Sequence, residues 1–318
     1  MPTADQAVRP TGWSPVTAGR TQLLGIAQVA LSASPWTGLL FLAALFADDW
    51  RIGVLGVLGT AASTGTAALL RTDHDDRIRQ GLEGYCGCLV GIALSVRFGA
   101  SWRVGLLTVV AAAVCSVLTA AAVRFLGRFG LPVLTAPYCL VASVMAIALP
   151  AAAAAPATPA AASTTTGLSA TDLGLAFCNN IGQVFFLDTW YAGLILLAGL
   201  LVGSWRAGIA AACASALAIL TARVMDLPVD QLREGLYGYN AVLVAVALAV
   251  TFLPPTPWTA GCAALAAVAS VPFTTAWAAF AQPSGGSPYT WPFVVTTWLF
   301  LAAAPAMDRP GMPYEKAK

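Results

Sequence analysis

The chain has 318 residues, of which 58% are hydrophobic and 9% charged, with a formal net charge of +2. Soluble domains carry about 25% charged residues, so this composition excludes an ordinary soluble globular protein. So small a net charge gives no argument for a nucleic-acid partner, and none is expected.

In chain order, residues 1–20 read as a polar tail with Pro10 and Pro15. They lack the basic-then-apolar order of a cleavable leader, so the first apolar segment is expected to act as an uncleaved membrane signal. Thr21–Ser34 is apolar and carries Gln28 in its middle. It is shorter than the roughly 20 residues a spanning helix needs. It therefore reads as a re-entrant helix, which is tolerated at membrane depth where it lines a cavity. Spans are expected at Trp36–Phe46, Ile52–Leu70, Gly81–Val96, Val104–Phe125 and Pro132–Leu149. A low-complexity run of Ala, Thr and Pro then reads as a linker over 151–172. Leu173–Leu187 is a second short segment, carrying Gln183, and spans follow at Trp190–Val202, Ala207–Ala222, Gly235–Phe252, Trp258–Phe280 and Trp291–Ala304. Residues 306–318 form a second polar tail.

This order repeats because the sequence does. GLEGYCGCLV begins at Gly81 and GLYGYNAVLV at Gly235, an offset of 154. Gln28 matches Gln183, Gly38 matches Gly193 and Thr135 matches Thr290, each at an offset of 155. Matched features at a common long offset indicate a duplicated half, here 21–150 and 173–305. Five spans in each half is an odd number, so the second half is expected upside down relative to the first. Inverted repeats place a solute path on the pseudo-two-fold axis near the bilayer midplane. Of the 16 Lys and Arg residues, 11 fall on the side of the termini, which puts both termini in the cytoplasm by the positive-inside rule. The expected fold is an all-α polytopic membrane protein. It has two inverted homologous halves, each with about five transmembrane helices and a re-entrant pore helix.

Few polar residues lie inside these spans. Glu83, Asp188 and Glu234 sit at span ends and read as helix caps. No chain of Asp, Glu or His crosses the membrane, whereas ion-driven transport generally needs such groups. Their scarcity favours passive flow of a neutral solute. The seven cysteines lack metal-site spacing, with His74 the sole histidine, and read as packing residues. No cofactor, metal or enzymatic constellation is expected. The paired polar residues carry more weight. Gln28 and Gln183 sit within the short helices, and Thr135 and Thr290 each lie two residues before a proline. A single such residue can serve as interhelical glue, but recurrence in both halves points to a site on the axis.

GLPVLTAPY at Gly130–Tyr138 and YTWPFVVTTW at Tyr289–Trp298 resemble the paired signatures of the urea transporter (urea channel) family. GLYGYNAVLV and NIGQVFFLDTWYAGLILLAG are also similar to segments of that family. The resemblance covers nearly the whole chain. It implies a homotrimer in the plasma (inner) membrane, in contact with lipid, with one pore per protomer for urea and close analogues. Gln28 and Gln183 would contribute acceptor oxygens to that pore, and Thr135 and Thr290 hydroxyls at its constriction. Tyr85, Tyr239 and Phe186 would form flat walls, and Leu89 and Leu243 would narrow the middle. Leu31 stands where the second half has Phe186, and Cys86 where it has Asn240. These departures bear on selectivity between urea and other small neutral solutes such as short amides, ammonia and water.

Overall fold

In a computed structural model, residues 15–70, 75–149 and 169–307 are described. Most of the expected tails (1–20 and 306–318), most of the 151–172 linker and the loop residue His74 lie outside them. Every regular element among the described residues is helical. In chain order these are α1 (Pro15–Gln28), α2 (Pro35–Asp48), α3 (Trp50–Leu69), α4 (Asp75–Arg79), α5 (Tyr85–Phe98), α6 (Trp102–Gly127) and α7 (Ala136–Ala148). Then follow α8 (Ala170–Gly182), α9 (Trp190–Gly203), α10 (Trp205–Val224), α11 (Val229–Arg233), α12 (Tyr239–Val246), α13 (Pro257–Ala281) and α14 (Trp291–Met307).

Apolar helices in a membrane cannot leave backbone donors to water, so their starts must be capped. Asp49, Ser101, Ser204 and Thr256 accept from Arg51 N, Val104 N, Ala207 N and Thr259 N at the starts of the four longest helices. Those four, α3, α6, α10 and α13, are long and apolar enough to cross a membrane. Many large apolar side chains on them point outward, among them Leu106, Leu220 and Leu265, each about 60% exposed. Outward apolar faces on helices of this length define a polytopic membrane protein. The remaining apolar helices, α2, α5, α7, α12 and α14, are shorter. The 14 residues of α5 rise about 21 Å, less than the ~30 Å hydrocarbon core. Length alone therefore credits fewer crossings than the ten spans expected from composition.

Several sequence-derived spans begin too early, for a backbone reason. The segment at Gly81 does not enter a helix until Tyr85, and that at Gly235 not until Tyr239. Gly81 and Gly235 both have φ of +77°, a left-handed conformation that glycine adopts without penalty. A Cβ on Gly81 would sit 2.4 Å from Gly25 N, and one on Gly235 2.3 Å from the Asn179 carbonyl carbon. The repeated Gly-Leu-x-Gly-Tyr turn thus lays its backbone directly against α1 in one half and α8 in the other. Other unusual backbone positions recur at the sequence offset: Leu31 with Phe186 (φ 60° and 59°) and Leu134 with Tyr289 (49° and 46°).

Contacts between the halves are reciprocal. Thr37, near the start of α2, donates to Gly199 O near the end of α9 at 2.8 Å. Asp48, at the end of α2, accepts from the hydroxyl and N–H of Thr189 just before α9. The two helices therefore run antiparallel. Phe41 on α2 meets Phe185 edge-on, with ring centroids 5.2 Å apart.

Candidate solute site

The break after α1 and the break after α8 bring the matched glutamines inward. α1 ends at Gln28, and the chain turns through left-handed Leu31 before α2. α8 ends at Gly182, tightens through a 3₁₀ turn at Gln183–Phe185, passes left-handed Phe186 and enters α9 at a 72° bend. Gln28 and Gln183 are both buried, and in each the amide nitrogen is anchored. Gln28 Nε2 donates to Gln80 O at 3.2 Å, and Gln183 Nε2 to Asp188 Oδ1 at 2.7 Å. Fixing the donor end leaves each carbonyl oxygen as an oriented acceptor. The last carbonyls of a helix also lack intrahelical partners and carry its negative end.

Thr135 and Thr290 precede α7 and α14 and meet at the interface of the halves. Their hydroxyl oxygens lie 2.6 Å apart, both residues being almost fully buried. Cys139 Sγ stands 3.1 Å from Thr290 Oγ1 and interacts less strongly with Thr135, so the two hydroxyls are not equivalent. The residues just before them, Leu134 and Tyr289, are left-handed and turn their carbonyls back towards the tyrosines of the repeated motif. Tyr85 donates to Leu134 O at 2.5 Å and Tyr239 to Tyr289 O at 2.7 Å. Removing one such hydroxyl leaves a buried carbonyl with only a long second contact, Cys86 Sγ at 3.8 Å or Asn240 Nδ2 at 3.5 Å, at a cost of up to about 1–3 kcal/mol. Tyr239→Phe is thus expected to lower the thermal midpoint measurably, and Tyr85→Phe likewise, with helical content retained by circular dichroism.

The second half holds an open-mouthed cavity of about 440 Å³ whose lining includes Gln183, Phe186, Tyr239, Thr274 and Tyr289. Tyr289 stands edge-on between Tyr138 at 5.7 Å and Phe186 at 6.4 Å. Three of the sequence-derived residues therefore share one cavity, with Thr290 next in chain to a fourth lining residue. Gln28, Leu31, Tyr85 and Leu89 belong to the first half and do not line it. Leu89 and Leu243 are fully buried on α5 and α12.

Sequence reasoning overlooked Tyr289, Tyr138 and Cys139. Tyr289 was visible in the second signature, but its match in the first half is Leu134, which hid any aromatic role. The hydroxyl of Tyr138 is buried without a partner among the described residues. Asn240, opposite Cys86 in the repeat, joins α12 to its neighbours through Thr274 Oγ1 at 3.1 Å and Phe293 N at 3.2 Å. Cys86 Sγ lies 3.8 Å from Leu134 O and also meets Cys115.

The three acids expected as caps do other work. Glu83 pairs with Arg77 at 2.7 Å, while α5 starts from Gly84 with no side-chain cap. Asp188 holds Gln183, and α9 starts after Thr189. Glu234 closes α11 rather than opening α12. Burial pushes its carboxyl above the usual range, reinforced by Asp188 and Asp230. The short helices α4 and α11 precede Glu83 and Glu234, whereas Asp188 follows the 3₁₀ turn at Gln183–Phe185.

Apolar helices around two broken elements, with matched hydroxyls meeting where the halves join, define a polytopic membrane transport protein. The family model described as "Urea transporter" matches residues 20–305, and the chain belongs to that family. It is similar to urea transporter 1 of Ovis aries and of Capra hircus, 30% identical in each case over 290 residues, covering 88% of this chain and 75% of theirs. Urea transporter 1 of Rattus norvegicus is 29% identical over 293 residues at the same coverage.

Proposed function

We propose that the chain conducts urea passively across the plasma (inner) membrane, through a narrow path at the interface of two inverted repeats. The observation that carries this reading is the 2.6 Å contact of the matched Thr135 and Thr290 hydroxyls, in a chain whose matched glutamines at the ends of two short helices are each anchored by the amide nitrogen. The repeats are 21–150 and 173–305, joined by the 151–172 linker. Each is read as five crossings and one re-entrant helix, α1 or α8, with the shorter helices completing their crossings through flanking non-helical segments. Two-fold symmetry with inversion accounts for the antiparallel pairing of α2 with α9. It also accounts for the meeting of matched threonines, since a residue close to a two-fold axis touches its own counterpart. Both termini are assigned to the cytoplasm and the assembly is read as a homotrimer with one pore per protomer, embedded in lipid.

Urea is neutral and planar, with one carbonyl acceptor and four N–H donors. Stripping its water without replacement costs a few kcal/mol per polar group. The Gln28 and Gln183 oxygens and the carbonyl ends of α1 and α8 supply acceptors for its N–H groups. The Thr135 and Thr290 hydroxyls can face either its carbonyl or its amines. Because those hydroxyls touch, the path runs beside the pair rather than between its members. Phe186, Tyr239 and Tyr289 offer flat surfaces on one approach, and Leu31 with Tyr85 forms the thinner counterpart on the other. The unpartnered hydroxyl of Tyr138 is a further group a solute can satisfy. Leu89 and Leu243 set the width. An ion gains too little from uncharged acceptors and apolar walls to offset its lost hydration.

Stopped-flow light scattering on proteoliposomes tests this. Urea entry far above that of empty liposomes, unchanged by an imposed proton or sodium gradient, is expected. Gradient-dependent entry would make the protein a coupled carrier, and absent entry with water or short-amide flux would reassign the solute. Leu89→Ala is expected to raise methylurea flux several-fold relative to urea. An unaltered ratio in folded protein would displace Leu89 from the constriction.

A further inference from the structure

The two halves differ on one outer face. In the first half, Leu58 on α3 reaches towards α6, coming within 3.8 Å of where a side chain on Gly105 would begin. Its neighbour Leu55 is 5% exposed. The residues 155 positions on are Ala210 and the exposed Cys213. Where two leucines fill the first half, the second half has a groove of about 360 Å³ between α10, α12 and α13. The continuation of α12, Ala247–Phe252, is wound as a π-helix and contributes Ala249 and Val250 to the wall. π-helical turns are rare and concentrate at functional positions.

The groove is apolar along its length and has one charged lining residue, Arg206. Arg206 and Trp205 stand at the start of α10, level with Pro255–Pro257 at the start of α13, so they mark one mouth of the groove. The guanidinium lies over the Trp205 ring at 5.5 Å and forms no ion pair among the described residues. From Trp205 to Leu217 the helix rises about 18 Å. That compares with ~15 Å for one leaflet of a ~30 Å hydrocarbon core. A trough one leaflet deep, apolar except for a cation at its interfacial end, matches an amphiphile with a negative head and a long tail.

We propose that this groove binds one anionic phospholipid of the surrounding bilayer, its acyl chain along α10 and its phosphate on Arg206. Apolar contact alone gives little preference within a membrane, since neighbouring lipid tails are equally apolar. The selection comes from the planar guanidinium, which suits phosphate oxygens and is held in place by its indole partner.

Native mass spectrometry of the full chain, released from micelles containing equal amounts of phosphatidylglycerol and phosphatidylcholine, tests this. The wild type is expected to retain about one phosphatidylglycerol per protomer, several-fold over phosphatidylcholine. Arg206→Gln is expected to remove that preference. Ala210→Leu with Cys213→Leu, which restores the filling of the first half, is expected to remove the bound lipid while leaving urea flux unchanged. Equal retention of the two lipids by the wild type would overturn the proposal. So would phosphatidylglycerol retention that survives either variant. If the leucine pair instead changes the mass of the assembly with lipid retention unaltered, the occupant is a second copy of the chain.

Discussion

Gly235→Ala is expected to destabilise the protein more than any other single methyl addition in the repeated motif. The new Cβ would lie 2.3 Å from the Asn179 carbonyl carbon and 2.5 Å from both its oxygen and Asn180 N. All three are backbone atoms of α8, so no rotamer change can relieve the overlap. The φ of +77° adds a left-handed penalty of about 1–2 kcal/mol for any residue with a Cβ. Together with overpacking, typically 1–3 kcal/mol and more against rigid backbone, the loss reaches about 3–5 kcal/mol. Stability of folded domains is commonly 5–15 kcal/mol, so much of the margin goes. Asn179 Nδ2 also donates to Arg233 O at 2.7 Å, a bond that a displaced α8 would break. The control is Gly65→Ala on α3, where a Cβ would meet nothing within 4 Å. That change is expected to be neutral or to stabilise by about 0.5–1 kcal/mol, since alanine is the better helix former. Thermal unfolding followed by fluorescence-detected size exclusion compares the two directly. Equal midpoints for both would refute the close-approach argument.

The same positions explain how far the sequence could be read. Periodicity located the long helices well: Val104–Phe125 was expected where α6 runs from Trp102 to Gly127, because an unbroken apolar run is its own signal. Ends governed by backbone conformation were misplaced. The motif glycines looked like the start of a span, but they form a left-handed turn whose role depends on α1 or α8, which precedes it by more than 50 residues. α1 includes Pro15–Arg20, ahead of the expected start at Thr21, because Pro15, Gly19 and Arg20 interrupt any apolar run there and give that stretch the look of a tail. In the candidate site, the glutamines and threonines stand out in the sequence through repetition alone. The bond from Tyr239 to the carbonyl before Thr290 was not, because a backbone acceptor leaves no mark on sequence. Tyr289 and Cys139 were hidden for the opposite reason: each departs from its counterpart, Leu134 or Val294, so agreement between the halves does not mark it.

Replacing both Thr135 and Thr290 with valine is expected to slow urea by roughly one to two orders of magnitude while the protein stays folded. Valine keeps the shape of threonine and removes only the hydroxyl. A solute polar group that loses its partner in the narrowest part of the path forfeits about 1–3 kcal/mol. Each 1.36 kcal/mol is tenfold in rate. The single variants separate the two roles. In Thr135→Val, Thr290 still has Cys139 Sγ at 3.1 Å, so its hydroxyl remains oriented. In Thr290→Val, the Thr135 hydroxyl loses its 2.6 Å partner and Cys139 its 3.1 Å contact, leaving these two only their weaker interaction with each other. Buried groups left unpaired cost more than pairs removed together. Thr290→Val should therefore have the lower thermal midpoint of the two singles, and the double variant should recover part of that loss. Flux and stability then move in different orders: the double variant is the slowest conductor, whereas Thr290→Val is the least stable. Stopped-flow urea flux per folded protomer, set beside melting curves of the same preparations, distinguishes the two orders. If the double variant conducts urea at the wild-type rate, the threonine pair is a structural contact between halves and the solute path lies elsewhere.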